Sequence, residues 1–510
     1  MSSENNKRIA KNTALLYFRM ILTMLVSLYT VRVVLNTLGV VDYGIFNVVG
    51  GIVALFSFLS STMASASQRF FAFELGRNDI PQLKRTFSLS VTIFVIISVV
   101  ILLLAETIGL WILNTQMVIP QDRIEAANWI YQFSIFSFIV TIMTIPYNAA
   151  IIAHENMAVY AYISIVEVVV KLVIVYLLVL FSFDKLKLYG GLMFITTCII
   201  TLIYRTICKR KYNESHYQFH WDKGLFKALI SYSGWNLFGA VAGVMNNQGI
   251  NILLNMFFGP VVNAARGIAY QVSYAVNQFV MNFFTAVSPS IIKYYAADER
   301  EKMLKLVFQS SKFSYFLLLL LSMPFLLETN YILTVWLKNV PEYVVLFTRL
   351  VIINALIDSL TYSMQTAAQA TGRIKLYQSI VGGTMLLNLP ISFVFLKLGF
   401  PPQVTMYASI VISFICLFLR LWLLRNLVDL SISDYLTKVF NAVLLVSVIA
   451  YMIPLFLIFK MEESLTRFII VGITALLTSL VSTYFIGLNA SERLYIIQGL
   501  KSNVINKLKY

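Results

Sequence analysis

Runs of about twenty apolar residues, separated by short polar breaks, recur from one end of this chain to the other, and that is the length an α-helix needs to cross the hydrocarbon core of a bilayer. Fourteen are read, at 10–37, 44–68, 85–113, 127–151, 157–182, 187–208, 226–258, 264–292, 306–336, 343–370, 376–398, 404–426, 436–459 and 465–488; they are numbered here as spans 1 to 14. Lipid offers no hydrogen-bond partner to a backbone, so runs of this kind must be helices. The expected fold is an all-α polytopic membrane protein with 14 transmembrane helices. Composition agrees, since 59% of the 510 residues are apolar and only 12% charged, against roughly 25% in soluble proteins. A mean hydropathy of +0.80 over the whole length excludes a soluble enzyme with a single anchor. The polar N-terminus, residues 1–11, leads into a stretch too long for a secretory signal, and span 1 is expected to be retained.

The net charge of +16 would suggest a nucleic-acid partner in a soluble domain. Its distribution points elsewhere. With the N-terminus in the cytoplasm, 27 of the 39 Lys and Arg residues fall on the cytoplasmic side and ten on the other, with Arg19 and Lys171 inside spans. The positive-inside rule then puts both termini in the cytoplasm, and the charge becomes a topology signal with no nucleic acid implied. Cys198, Cys208 and Cys416 are too scattered for a disulfide framework or a thiolate metal site.

An internal repeat with a period near 220 runs through the first twelve spans. Leu35-Asn36 with Gly39 matches Leu254-Asn255 with Gly259; Arg69-Phe70-Phe71-Ala72 with Leu83-Lys84 and Phe87 matches Lys293-Tyr294-Tyr295-Ala296 with Leu304-Lys305 and Phe308. Ala153-His154-Glu155-Asn156 with Tyr160 matches Ala370-Thr371-Gly372-Arg373 with Tyr377, and Arg205 closes span 6 as Arg420 closes span 12. Six spans per repeat bring the second half into the membrane from the same side as the first, an arrangement that puts a central cavity between two pseudo-symmetric bundles. The expected organisation is an N-terminal six-helix bundle (1–208), a cytoplasmic linker (209–224), a C-terminal six-helix bundle (225–428), and two extra helices with a cytoplasmic tail (429–510).

No P-loop, His-Glu-x-x-His or other catalytic set is present, and no metal site is expected; His216 and His220 lie in the polar linker without a third ligand. The spans that open each half carry polar stripes at helical spacing. They run through Arg19, Thr23, Ser27 and Thr30 in span 1, through Asn47, Gly50, Ala54, Ser57, Ser61, Ser65 and Gln68 in span 2, and through Asn236, Gly243, Asn247, Asn251 and Asn255 in span 7. Span 8 adds Asn263, Arg266, Tyr270, Tyr274 and Asn277. Small and amide residues also glue helices together, and that reading is preferred for span 2. The density of amides and aromatic rings in spans 7 and 8 exceeds what packing needs, and such groups suit sugar hydroxyls and rings.

Charges inside spans are costly and so mark candidate sites. For Arg19 snorkelling and anion binding both stand; Arg32 and Arg266, at the outer ends of spans 1 and 8, share their spans with polar stripes. Asp358 lies mid-span on a face with Asn354, Tyr362 and Gln365, its partner unnamed by the sequence. Glu167 and Lys171, one turn apart, read first as a mutually neutralising pair and second as a protonation or cation-coupled switch.

With its 6+6+2 arrangement, its Arg69-Phe70-Phe71-Ala72 segment repeated at Lys293-Tyr294-Tyr295-Ala296, and its Ala370-Thr371-Gly372-Arg373 turn, the chain resembles the polysaccharide-transporter branch of the multidrug/oligosaccharidyl-lipid/polysaccharide (MOP) exporter superfamily. Within that branch it resembles the Wzx-type flippases of O-antigen and capsule assembly. The resemblance implies a bacterial inner-membrane protein that moves undecaprenyl-diphosphate-linked oligosaccharide to the periplasmic leaflet by alternating access, without nucleotide hydrolysis or a cofactor, in company with other polysaccharide-assembly proteins. H+ or Na+ coupling is open. On that reading Arg19, Arg32 and Arg266 are candidates for the diphosphate. Asn247, Asn251, Asn255, Tyr270, Tyr274 and Asn277 are candidates for the glycan, and Asp358, Glu167 and Lys171 for coupling. A cation-coupled MATE-type antiporter is the second reading, although spans 1, 2 and 4 hold no interior carboxylate for it, and a lipid II flippase is a third. The duplication and the lack of a large catalytic loop argue against a membrane glycosyltransferase.

Overall fold

The computed structural model describes residues 3–494 apart from 55–56, 116–118, 182, 259 and 338–339. Every regular element among them is helical. Eleven helices are long and apolar enough to cross a membrane: Ile80–Thr115, Gln121–Ala153, Met157–Leu178, Lys185–Lys211, Lys223–Phe258, Arg300–Leu327, Val344–Ala370, Lys375–Lys397, Val404–Val428, Ile432–Lys460 and Leu465–Gly487. They answer to spans 3–7 and 9–14. Helices Ser3–Ala54, Ser57–Gly76 and Pro260–Ala296 cover the polar-striped spans 1, 2 and 8. The first of these turns at Gly39, whose backbone (φ 78°, ψ 167°) lies where only glycine goes readily, so span 1 ends there and span 2 begins.

Local sequence sets where the helices start. Asp79, Asn156, Asp184 and Ser464 each accept a backbone N–H of the first turn of spans 3, 5, 6 and 14, satisfying donors that a helix leaves open. The repeat seen in sequence is written into the turns as well. After span 2, Asn78 has a left-handed backbone (φ 55°) and donates to Leu75, while Asp79 donates to Glu74. After span 8, Asp298 (φ 58°) and Glu299 make the equivalent bonds to Tyr295 and Tyr294, 220 residues on. The turn after span 4 has its positive φ at Glu155 and the turn after span 10 at Gly372, the matched positions of that repeat.

The chain divides into two compact units, residues 8–237 and residues 238–510 together with 1–7. In the first, spans 4 and 6 pack on each other, and the Tyr131 hydroxyl of span 4 donates to the Ala105 carbonyl (2.7 Å), which also accepts the Leu110 N–H across a wide π-helical turn, Ala105–Gly109. One end of this unit is tied by Arg123, whose guanidinium reaches Asp42 (2.5 and 2.8 Å) and Asp184 (2.8 Å). In the second unit spans 13 and 14 pack on each other and on span 9. Lys312 of span 9 is buried against Glu492 (3.1 Å) and the Gly487 carbonyl (3.2 Å) at the end of span 14, and Tyr315 meets Ser447 of span 13 (2.9 Å).

Candidate functional site

Spans 7 and 8 follow each other directly, so the last turns of one and the first turns of the other lie at the same end. Asn247 and Asn251, one turn apart on span 7, present their amide oxygens to Arg266 of span 8: Nη1 donates to Asn251 Oδ1 (2.6 Å) and Nη2 to Asn247 Oδ1 (2.7 Å). The guanidinium lies over the Tyr270 ring, 4.3 Å from its centroid. Arg266 is 4% exposed, its Nε has no partner, and among the described residues no carboxylate pairs with it. A buried cation held only by neutral oxygens and a ring is expensive unless an anion completes it. Asn247 is exposed, and among the described residues only its oxygen is bonded, which leaves two N–H donors at the edge of the site. Tyr274, one turn past Tyr270, is 68% exposed.

A second polar group occupies the same unit. Span 10 is not one continuous helix: Val344–Ser359 stops and Tyr362–Ala370 restarts. The Leu360 carbonyl freed by the break accepts from Ser311 (3.0 Å) and Tyr435 (3.4 Å). Asp358 lies in the last turn before the break and accepts from Asn354 (2.8 Å), with Ser413 and Arg420 of span 12 as further polar neighbours. Arg420 is buried within its helix, which runs on to Val428; it donates to the Tyr377 hydroxyl and lies over that ring. Asn277 of span 8 reaches this region through the Tyr362 hydroxyl (3.3 Å).

In the first unit Arg19 is half-buried, 4.6 Å over the Tyr160 ring, with Ser164 at 3.5 Å. Tyr160 and Tyr377 are partners in the repeat, and each receives an arginine, but from span 1 in one unit and span 12 in the other. Glu167 and Lys171 are paired at 2.6 Å, both partly exposed. The side chains of Arg32 and Asn255, like those of Ser27, Asn47, Gly50, Ala54, Ser57, Ser61 and Asn263, lie outside the described residues. The structure therefore joins Arg266, Asn247, Asn251 and Tyr270 in one site and sets Asn277 beside the Asp358 group. Glu167 and Lys171 form a separate pair.

Sequence reading missed one cluster altogether. Asn388 of span 11 is fully buried and donates to Asn246 (2.8 Å) and Ser409 (2.9 Å), while Ser392 donates to it (3.2 Å). Asn246 is one residue off the expected stripe of span 7, so it points to a different neighbour; a prolyl residue two positions after Asn388 was the one local sign of irregular helix there. Among the described residues no group of three or more His, Cys, Asp or Glu side chains could hold a metal ion.

A duplicated, all-helical fold with eleven helices long and apolar enough to cross a bilayer is that of a multi-pass membrane protein. The chain belongs to the polysaccharide biosynthesis protein family, whose model matches residues 9–295. In three dimensions it is similar to a MOP superfamily transporter from Pyrococcus furiosus described as having a binding pocket of reversed polarity (TM-score 0.67, 13% identity, 83% of this chain and 96% of that one). It is also similar to the MATE transporter ClbM solved with Rb+ (0.68, 13%, 84% and 96%) and to a mutant of the Vibrio cholerae MATE transporter VcmN (0.65, 16%, 84% and 99%). No curated protein sequence matches the chain.

Proposed function

We propose that this protein is a transporter, a flippase for undecaprenyl-diphosphate-linked oligosaccharide that carries it from the cytoplasmic to the periplasmic leaflet of a bacterial inner membrane by alternating access, with both termini cytoplasmic. The observation that carries the reading is the buried Arg266 guanidinium, held by Asn247, Asn251 and Tyr270 without an acid. A diphosphate supplies the missing negative charge, and Arg forms charge-assisted, forked hydrogen bonds to phosphate oxygens. Amide donors and the exposed Tyr274 ring beside it suit a glycan. Asp358, a carboxylate inside the membrane beside the loosened turn of span 10 and the Leu360 carbonyl, is the candidate for H+ or Na+ coupling. A structural relative captured with Rb+ supports that role.

The test is translocation in liposomes. Purified protein should expose a labelled lipid-linked oligosaccharide on the far leaflet without ATP, and Arg266→Ala should slow it about tenfold or more at equal incorporation, the loss expected for hydrogen bonds to a charged group. No translocation with any of several glycans sinks the flippase reading. A wild-type rate for Arg266→Ala removes that residue from the path.

A further inference from the structure

The segment joining spans 6 and 7 is not a slack connection. Tyr212 stacks on His154 (4.1 Å between centroids, 8° between planes), and Glu214 is buried against His154 Nε2 (2.5 Å). The Gln218 N–H donates to Ser88 (3.3 Å) and the Tyr217 hydroxyl meets Thr92 (3.2 Å), both on span 3. The helix Ile80–Thr115 has 36 residues and is about 54 Å long at 1.5 Å per residue. A hydrocarbon core of about 30 Å centred on it begins about 12 Å from its start, the level of Ser88. Thr92 lies one turn deeper. The connection therefore descends along span 3 to the hydrocarbon boundary.

Around that contact the segment's exposed side chains are aromatic and basic. Tyr217, Phe219 and Trp221 are 43%, 73% and 49% exposed. Arg205, Arg210, Lys211, Lys223 and Lys227 are all exposed, and among the described residues none is in an ion pair. Both acids of the stretch are spent on the protein itself: Glu214 on His154, and Asp222 on the Leu225 N–H that starts span 7 (2.9 Å). Exposed rings at the interface with uncompensated cations beside them match a surface that is apolar inside and negative outside.

We infer that residues 205–227 form an interfacial anchor that binds the anionic phospholipid surface of the leaflet on that side, with the rings inserted at the headgroup level and the cations on the phosphates. It holds the segment between spans 6 and 7 to the membrane whatever molecule is transported. The test uses the full chain in nanodiscs of phosphatidylcholine alone or mixed with phosphatidylglycerol. An environment-sensitive fluorophore goes on Phe219→Cys in a Cys198→Ser background. Chain-brominated lipid should quench it and aqueous iodide should not, and the protein should retain phosphatidylglycerol over phosphatidylcholine by at least about tenfold. The variant Arg210→Gln, Lys211→Gln, Lys223→Gln, Lys227→Gln should lose that preference with unchanged helicity and elution volume, and high salt should mimic it in the unsubstituted protein. A probe open to iodide in every lipid, or a preference that survives the four substitutions, overturns the inference. So does a preference confined to diphosphate-linked lipid, which would make the segment part of the transport path.

Discussion

Arginine at position 266 does what lysine there would not. Its planar fork reaches Asn247 and Asn251 at once while its face stays on Tyr270, so the group is fixed by its own neighbours and, among the described residues, its Nε stays unbonded. That residue was legible from its place on a polar stripe, because amides four apart share a helix face. The side chains that position it were legible for the same reason. A different kind of residue-scale constraint governs Gly109. A Cβ there would lie 1.9 Å from the Tyr131 oxygen, so the wide turn, the missing side chain and the tyrosine hydroxyl form one device. Gly109→Ala should therefore lower stability by about 1–3 kcal/mol, the usual cost of overpacking a filled interior. Thermal unfolding in detergent measures it. Tyr131→Phe in the same chain should recover part of the loss by removing the colliding oxygen, and a double variant no better than Gly109→Ala would put the strain elsewhere.

Helices were legible wherever apolar length alone defined them; their interruptions were not. Nothing in the run Asn354-Ala355-Leu356-Ile357-Asp358-Ser359-Leu360-Thr361 announces a break, because the cause lies on other elements: Ser311 of span 9 and Tyr435 take the Leu360 carbonyl that a continuous helix would use. The same distance in sequence hid Arg420. Read as closing span 12, it is buried inside it and bonded to Tyr377 of span 11. If Asp358 at the break is the coupling group, Asp358→Asn should abolish the response of transport to an imposed proton or sodium gradient while downhill exchange continues. Flux assays with and without a gradient separate the two. Spans 13 and 14 pose a packing question instead. They are fastened to span 9 through Lys312 and Glu492, both almost fully buried, and removing one partner strands the other charge. Glu492→Gln should destabilise the protein by about 3–5 kcal/mol, whereas Lys312→Met with Glu492→Leu should be close to neutral. Equal losses in the two variants would show that shape, not charge, holds the pair together.

Across the whole molecule the duplication is the deepest feature the sequence carried, and it survives as matched backbone turns at Asn78 and Asp298 and at Glu155 and Gly372. The connection between the halves was legible only as polar and basic. Its grip on span 3 and on His154 depends on side chains more than fifty residues away in sequence, which no local pattern reports. That grip has a definite pH response. Burial pushes the Glu214 carboxyl up, but the His154 ring and the residue's own backbone N–H outweigh it and hold the group below the ordinary carboxylate range. A carboxylate lowered in the folded state contributes stability that is fully present above its unfolded value, about 4.3, and is lost as pH falls through the lower folded value. Hydrogen-exchange protection of residues 212–218 should thus stay level from about pH 8 to pH 5 and fall only in stronger acid. Glu214→Gln should show reduced protection already at neutral pH. Protection that declines between pH 7 and pH 5 would mean that a different group, with a higher pKa, holds the connection in place.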